Sequence, residues 1–205
     1  MRLYRPWFLT KLLYPEAILR VKTTEKVLYL TFDDGPDIRS TIPLINILAK
    51  NRIKAVFFCS GNAAAENPDL INKLKSDGHL IGNHGFSHLD GFFTSAKKYL
   101  DDIKRASSVT SENLLRPPYG HMRIKQYSEL KKSFRIIMWD IMPYDFDRKL
   151  GSRQSLSILK RLMRPGSVIA LHDKKESCLF EFIEEFIVFA KSEGYRFEVL
   201  PDTNI

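Results

Sequence analysis

The chain has 205 residues, enough for one domain with a substantial buried core and too few for two. Hydrophobic residues make up 44% of the sequence and charged residues 27%, as in an ordinary globular protein, and no apolar run approaches the roughly 20 residues of a membrane helix. The formal net charge is +8, but the basic residues are scattered among acidic ones without a nucleic-acid-binding motif, so we expect a mixed, solvated surface and no nucleic-acid partner.

After an N-terminal segment, residues 1–24, short apolar runs alternate with longer segments of helical period. The short runs predict strands at Val27–Phe32, Ala55–Phe58, Leu80–Gly82, Asn113–Arg116, Ile136–Trp139, Val168–Leu171 and Arg196–Leu200. The periodic segments predict helices at Thr41–Asn51, from Pro68 onward after a capping Asn67, and at Thr94–Val109, Ile124–Lys132, Leu156–Met163 and Leu179–Ser192.

This alternation of strands and helices predicts a parallel sheet covered by helices. With so many βα units, a closed or nearly closed barrel is favoured over an open doubly wound sheet. Asp33-Asp34-Gly35-Pro36 follows the first strand, where a dinucleotide-binding fold carries a glycine-rich turn. We therefore expect no dinucleotide site at this position.

The N-terminal segment is basic and partly apolar, but Lys11 interrupts the apolar run and no small-residue cleavage site follows. No secretory signal is predicted, which favours a cytoplasmic protein, with peripheral attachment or export as alternatives. Cys59 and Cys178 are too few for a disulfide framework, and two buried thiols are favoured over one isolated bond. Several apolar side chains of the segment are expected to pack against the barrel floor, with a membrane-surface or partner contact as the alternative: Leu3, Trp7, Phe8, Leu12 and Leu13.

Polar residues follow the predicted strands at their carboxyl ends. Side chains at these ends converge on one face of a parallel barrel, where barrel enzymes carry their active sites. The polar residues in these positions are Asp33, Asp34, His84, His88, Arg116, Asp145, His172 and Asp173. Their regular placement predicts an active site rather than a set of surface turns.

Asp34, His84 and His88 form a candidate metal site. The histidines are four residues apart, so on a helical turn both imidazoles would face one ion. Two imidazoles and one carboxylate leave a coordination position open for water, whose pKa zinc lowers to about 7. Asp33 and Asp34 are adjacent and would point to opposite faces of a regular strand, so the turn at Gly35-Pro36 must re-aim one of the two carboxylates if both face the site. The alternatives are an ordinary Asp-Gly-Pro turn and histidines that only cap or pack, as expected for His79 and His121.

Two other residues leave more than one interpretation open. His172 is a fourth metal ligand, a general acid for the leaving group, or an ordinary strand-end histidine. Arg116 either pairs with a buried carboxylate or is a surface cation. Pro117 and Pro118 fix the loop that follows it, and the backbone N–H of Tyr119 is a candidate donor to an oxyanion.

Five segments, in this order, resemble the polysaccharide deacetylase family, also called the NodB-homology or family-4 carbohydrate esterase domain. They are TFDDGP at residues 31–36, GNHGFSH at 82–88, RPPYG at 116–120, WDIMPYDF at 139–146 and PGSVIALHD at 165–173. The resemblance implies a distorted (β/α)7-type barrel with parallel strands and outer helices, and a catalytic domain over residues 25–205. It also implies one metal ion, zinc or another divalent transition metal.

The resemblance further implies a role for each matching residue. The implied metal ligands are Asp34, His84 and His88. The implied general base is Asp33, which Arg116 steadies. The implied general acid is His172, whose pKa Asp145 tunes. The implied substrate contacts are Tyr119, Pro117, Phe146 and Leu171. The implied reaction removes an N-acetyl group from an amino sugar or polysaccharide of the peptidoglycan or chitin type and releases acetate.

Four positions depart from the family's pattern. Gly85 replaces a common serine or threonine, which is expected to loosen the turn between the two histidines. Met142, Phe146 and Ala170 differ around the expected pocket, so the alternative substrates are O-acetyl sugars and small non-sugar amides. Two further alternatives are a sugar-binding module without catalysis and a nucleic-acid-binding protein. The sequence makes no prediction of the oligomeric state.

Overall fold

The computed structural model describes residues 4–111 and 113–201. Its strands pair in parallel in one seven-stranded sheet, in the order β5-β4-β3-β2-β1-β6, and β7 pairs with the first two residues of β1. The strands are β1 Val27–Asp34, β2 Val56–Cys59, β3 Leu80–Asn83, β4 Leu114–Leu115, β5 Arg135–Ile136, β6 Ser167–His172 and β7 Arg196–Phe197. The predicted barrel-type sheet of parallel strands with outer helices is confirmed.

The helices connect and cover the strands. They are α1 Trp7–Leu13, α2 Ile38–Lys50, α3 Gly61–Glu66, α4 Pro68–Ser76, α5 Ala96–Ser107, α6 Ile124–Leu130, α7 Ser152–Leu162 and α8 Ile183–Ser192, with 3-10 turns at Pro118–Gly120 and Leu179–Glu181. The sequence did not predict α3, which is too short to show a helical period. Helix α4 starts at Pro68 as predicted, but Asn67 does not cap it, because its side chain donates to the carbonyl of Ala63.

Successive residues of β1 point to opposite faces of the sheet, and both faces are buried, which explains why residues 27–32 are apolar apart from Thr31. Leu28 and Phe32 pack in the main core with residues of α2 and α8, on the outside of the sheet. Val27 and Tyr29 pack with residues of other strands, on the inside. Asp33 belongs to the second set, so its carboxylate lies on the inner face near the carboxyl end of β1. Both cysteines are buried free thiols, as favoured.

The N-terminal segment takes part in the sheet. Ile18 forms a parallel bridge with Ile137, directly after β5, and Arg20 forms an antiparallel bridge with Ser167 at the start of β6. The amide of Val21 donates to the carbonyl of Gly166 at 2.9 Å. The segment therefore fills the gap between β5 and β6, a pairing that the sequence did not predict.

Helix α1 does not lie on the barrel floor. Leu9 and Leu13 line a cavity with Tyr119 and Trp139, which belong to loops after β4 and β5, so α1 lies beside the carboxyl ends of the strands. Of the side chains expected to pack, Leu13 contacts the core, whereas Phe8, Leu12 and Trp7 are 77%, 69% and 47% exposed, which corrects the expectation for these three. Leu3 lies outside the described residues.

Within residues 4–111 and 113–201, no helix has the length and apolarity needed to cross a membrane.

Candidate active site

Asp33 and Asp34 end β1, and their carboxylates reach different partners. Asp33 is buried, and its Oδ1 accepts a hydrogen bond of 2.7 Å from Arg116 Nη1. Asp34 has a φ of 78°, which turns the backbone out of the strand conformation. Its Oδ1 lies 3.0 Å from Nε2 of His88. The chain therefore separates the two adjacent carboxylates, as a site with two roles requires.

Asp34, His84 and His88 form what we call the donor cluster. One ligand atom from each lies within 4.8 Å of the other two, close enough to share one ion. His84 Nδ1 bonds to the carbonyl oxygen of Arg116 at 2.7 Å, which leaves Nε2 for coordination. Burial lowers the pKa of His84 to about 4, so its imidazole is neutral, as a ligand must be. A carboxylate and two imidazoles fit zinc and related divalent ions.

The two histidines approach each other through a loop and not through a helical turn. Residues 84–88 have no helical hydrogen bonding, and both Gly85 and His88 have positive φ values, 73° and 53°. The imidazole rings of His84 and His88 are 5.0 Å apart. The expected helical arrangement is therefore wrong, although the expected proximity is present.

Two side chains hold this loop in place. Asn83 Oδ1 accepts from the amide of Gly85 at 2.8 Å. Asp102 on α5 accepts from the amides of Phe86 and Ser87 at 2.8 and 3.1 Å. A Cβ atom on Gly85 would lie 3.1 Å from this same carboxylate. Asn83 and Asp102 therefore support the turn by other hydrogen bonds, and the loosening expected from Gly85 stays a prediction.

Asp34 carries a negative charge at neutral pH. Burial opposes that charge, but the hydrogen bond from His88 and the nearby cations hold the pKa of Asp34 well below its usual range. One of these cations is Lys174, whose Nζ lies 2.9 Å from Asp34 Oδ2. This contact of Lys174 could not be predicted from the sequence, because nothing in the local pattern distinguishes Lys174 from other surface lysines. An ion at the donor cluster would compete with this ammonium group.

Arg116 is fully buried, so the surface-cation interpretation is wrong. Its Nη1 donates to Thr31 Oγ1 and to Asp33 Oδ1, each at 2.7 Å. Its Nη2 donates to the carbonyl of Met138 at 2.9 Å, and its Nε donates to the carbonyl of Ile137 at 3.2 Å. These bonds fix the guanidinium in one orientation, and through it the carboxylate of Asp33.

His172 ends β6 and pairs in register with Asp33 on β1. Its Nδ1 lies 2.9 Å from Oδ1 of Asp145, which is fully buried and also accepts from Ser177 Oγ. Burial alone would lower the pKa of His172, but the charge and hydrogen bond of Asp145 raise it to about 9. The ring is therefore protonated at neutral pH. Among the described residues, His172 is not part of the group that can hold a metal, which argues against a fourth ligand.

A cavity of about 360 Å³ brings these residues together. Both aspartates, both cluster histidines and His172 line it, with a rim formed by Pro117, Tyr119, His121, Trp139, Met142, Tyr144, Phe146 and Lys174. Tyr119 has a φ of 60°, and its ring lies 4.6 Å from that of His88. The Phe146 ring lies 4.6 Å from that of His172.

Leu171 does not line this cavity, which corrects its expected contact with the substrate. It is fully buried and packs in the main core with Phe32, its partner in register on β1. Residues on either side of it in β6, Ala170 and His172, point to the inner face, since side chains alternate along a strand. Leu171 therefore faces the helices.

Of the two histidines expected to have ordinary roles, one lines the cavity. His79 is buried, and its Nδ1 accepts from the amide of Ala55 at 3.2 Å, an ordinary structural contact. His121 lines the cavity, and its Nδ1 lies 2.9 Å from Asp90 Oδ2. The spacing of His121 from the other motifs gave no signal of this position.

The chain is similar in sequence to known deacetylases. Residues 20–133 match the polysaccharide deacetylase family. The peptidoglycan-N-acetylmuramic acid deacetylase PdaA of Bacillus subtilis is 28% identical over 197 residues, which cover 91% of this chain and 74% of that protein. A chitooligosaccharide deacetylase of Rhizobium leguminosarum bv. trifolii is 29% identical over 160 residues, 73% of this chain and 72% of that protein.

The solved structures include a peptidoglycan N-acetylglucosamine deacetylase that is 25% identical to this chain and has a TM-score of 0.82. The likeness covers 91% of both chains. The family match itself includes the donor cluster, Asp33 and Arg116, and it ends before Asp145 and His172. Because this match extends over more than half of the sequence, the chain belongs to the polysaccharide deacetylase family.

Proposed function

We propose that this protein is a metal-dependent deacetylase that hydrolyses the N-acetyl group of an amino sugar in a peptidoglycan- or chitin-type saccharide and releases acetate. One observation carries the proposal. In a single cavity, the donor cluster lies with Asp33, held by Arg116, and with His172, held by Asp145. A carboxylate that accepts a proton and an imidazolium that donates one are the two groups that amide hydrolysis needs.

The donor cluster would hold zinc or another divalent transition metal. Such an ion, when bound, polarises a carbonyl oxygen and acidifies water. The chain's own part is to place Asp34, His84 and His88 around one point and, by burying His84, to keep that imidazole neutral. The bond from His84 Nδ1 to the Arg116 carbonyl keeps that ring turned toward Asp34.

Asp33 is the proposed general base. Its Oδ1 is bonded to Arg116, so Oδ2 is the oxygen that would accept a proton from the attacking water. The new bond forms between this water oxygen and the acetyl carbon. Arg116 holds the Asp33 carboxylate at the cavity, because the fully buried guanidinium lies beside it and donates to Oδ1.

His172 is the proposed general acid. Asp145 accepts from Nδ1, so the proton to be delivered is the one on Nε2. It would pass to the nitrogen of the amino sugar as the bond between that nitrogen and the acetyl carbon breaks. The products are acetate and a free amine. The raised pKa, about 9, keeps this proton in place at neutral pH.

The cavity rim supports a saccharide substrate. Trp139, Tyr144 and Phe146 present aromatic surface, on which a sugar ring can stack, and Trp139 Nε1 is a buried donor without a hydrogen-bond partner among the described residues. Pro117 restricts the loop before Tyr119, whose backbone N–H we assign as a donor to the developing oxyanion. The nearby Met142 and Phe146, which depart from the family pattern, favour O-acetyl sugars or small amides as a second candidate substrate class.

The test is mass spectrometry of acetylated compounds incubated with zinc-loaded protein. The panel contains N-acetylglucosamine oligomers, peptidoglycan fragments, an O-acetylated xylan oligomer and a simple acetanilide, each with and without a chelator. Loss of one acetyl mass from the N-acetyl saccharides, abolished by the chelator and restored by zinc, is the expected result. Loss from only the xylan or the acetanilide would favour the second substrate class, and no loss from any compound would contradict the proposed reaction.

A further inference from the structure

Helix α1 presents large apolar side chains to solvent. Trp7, Phe8, Leu9 and Leu12 are 47%, 77%, 54% and 69% exposed, and Thr10 is the helix's buried residue. A surface helix of a globular protein normally buries its apolar stripe and exposes its polar one. Here four of the helix's five large apolar side chains are exposed, while Leu13, its last residue, and the following Tyr14 pack in the core.

The loop after β3 extends this exposed surface. Phe92 and Phe93 are 40% and 86% exposed. Phe92 lines a cavity of about 210 Å³ together with Leu9 and Leu13, so the loop lies next to α1. We call the six exposed side chains the apolar face: Trp7, Phe8, Leu9, Leu12, Phe92 and Phe93. Exposed apolar side chains on a helix and on the loop next to it mark an interaction surface.

A positively charged cleft lies on the other side of α1. It has a volume of about 500 Å³, is bordered by Trp7, and is lined by five cations and one acid, Glu16. The cations are Lys11, Arg20, Lys22, Lys131 and Arg135. Glu16 pairs with Lys131, while the hydrogen bonds of Lys11 and Arg20 go to carbonyl oxygens. We call this the basic cleft, and its net charge is clearly positive.

Exposed tryptophan, phenylalanine and leucine beside lysine and arginine are the composition that binds an anionic bilayer surface. The apolar side chains enter the headgroup region, and the cations contact acidic headgroups. A second copy of the chain is a poor occupant, since it brings the same basic cleft and the same net charge of +8. We propose that the apolar face and the basic cleft together bind an anionic membrane surface.

This binding would place the candidate active site beside the membrane. The cavity between α1 and Phe92 shares Tyr119, His121, Trp139 and Tyr144 with the cavity of the active site. A bilayer in contact with α1 would therefore lie next to the mouth of the site. The inference goes beyond the proposed reaction and does not depend on it, because lipid binding is measured without substrate.

The test is co-sedimentation of the full chain with vesicles of phosphatidylcholine alone or mixed with phosphatidylglycerol. We expect binding to the anionic vesicles at low salt, weaker binding at high salt, and little binding to the neutral ones. The F8S/L12S variant should lower the partition coefficient at least tenfold. K22Q and K131Q should each lower it roughly fivefold on anionic vesicles.

Matched controls come from other exposed positions. Val188 on α8 is 65% exposed, and Lys75 on α4 is exposed, so V188S and K75Q should bind vesicles as the unmodified chain does. Unchanged melting temperatures would show that all variants fold. The proposal is overturned if the unmodified chain fails to bind anionic vesicles at low salt, or if F8S/L12S binds as well as V188S. If the unmodified chain does not bind vesicles and light scattering shows that F8S/L12S converts a dimer to a monomer, the apolar face is an interface between two copies and the proposal is overturned.

Discussion

Asp145 accepts two hydrogen bonds from His172, one from ring Nδ1 to Oδ1 and one from the backbone amide to Oδ2, both at 2.9 Å. The pair of bonds fixes the tautomer and the orientation of the imidazole at once. It also places a buried negative charge against the ring, which explains why the pKa of His172 rises to about 9 although burial alone would lower it. Asp145 is therefore a positioning residue, and its removal should be visible in a pH profile.

Replacing Asp145 with asparagine should move the alkaline limb of deacetylation to lower pH. A general acid must be protonated, so activity falls as pH rises through the pKa of His172, and loss of the Asp145 charge lowers that pKa by about 1 to 3 units. The rate as a function of pH measures the shift. D101N, which changes an exposed carboxylate on α5, should leave the limb in place. An unmoved limb in D145N would mean that His172 is not the acid.

Replacing Asp33 with asparagine should separate chemistry from metal binding. Asp33 is bonded to Arg116 and lies outside the donor cluster, so zinc affinity measured by calorimetry should stay within a few-fold. Hydrolysis should fall by about 10² to 10⁴, the usual contribution of a general base. Thermal unfolding checks that D33N folds. If D33N hydrolyses the substrate as fast as the unmodified chain, Asp33 is not the general base. If the protein is a sugar-binding module without catalysis, neither D33N nor the unmodified chain will hydrolyse the substrate.

Replacing Arg116 with methionine should destabilise the protein strongly. The change leaves Asp33 as a buried carboxylate without its cation, which costs about 3 to 5 kcal/mol in the free energy of unfolding. Urea unfolding measures this loss. In the double variant R116M/D33N the stranded charge is gone, so the total loss should be smaller than the sum of the two single losses. Additive losses would show that the two side chains do not interact.

Replacing Asp102 with alanine should weaken metal binding without touching a ligand. Its carboxylate holds the amides of Phe86 and Ser87 in the loop between His84 and His88. Loss of such support typically lowers metal affinity about 10- to 100-fold. The neighbouring D101A variant is a close control, because Asp101 is exposed and pairs with the exposed Lys97. If D102A and D101A bind zinc equally well, the loop keeps its shape by other contacts.

The strands could be predicted where the sequence has a long apolar run. Residues 168–171 are a continuous apolar run, residues 27–32 are apolar apart from Thr31, and the two runs lie in strands β6 and β1. Strands β4 and β5 are only two residues long, so their predicted bounds were too wide. The pairing of Ile18 with Ile137 could not be seen, because a strand partner so far along the chain leaves no local pattern.

The part of the candidate site that could be predicted consists of the residues proposed to bind the metal or transfer protons. The donor cluster and Asp33 follow strands and carry the donor types of a metal site. Their supports were harder to predict: Asp102 lies on a helix outside the motifs, and Lys174 resembles many other lysines. The substrate contact that the resemblance implied for Leu171 was wrong, and hydrophobicity could not correct it, since it does not distinguish the two faces of a strand buried on both sides.

The closing of the sheet by residues 18–21 has a consequence for how the protein is made. These residues are synthesised more than a hundred residues before their partners Ile137 and Gly166. Until then their backbone groups form an unpaired edge that other chains can contact. We expect the barrel to close late and slowly, as folds built on distant pairings do. A chaperone that covers residues 18–21 until β6 has been synthesised would therefore raise the yield of folded protein.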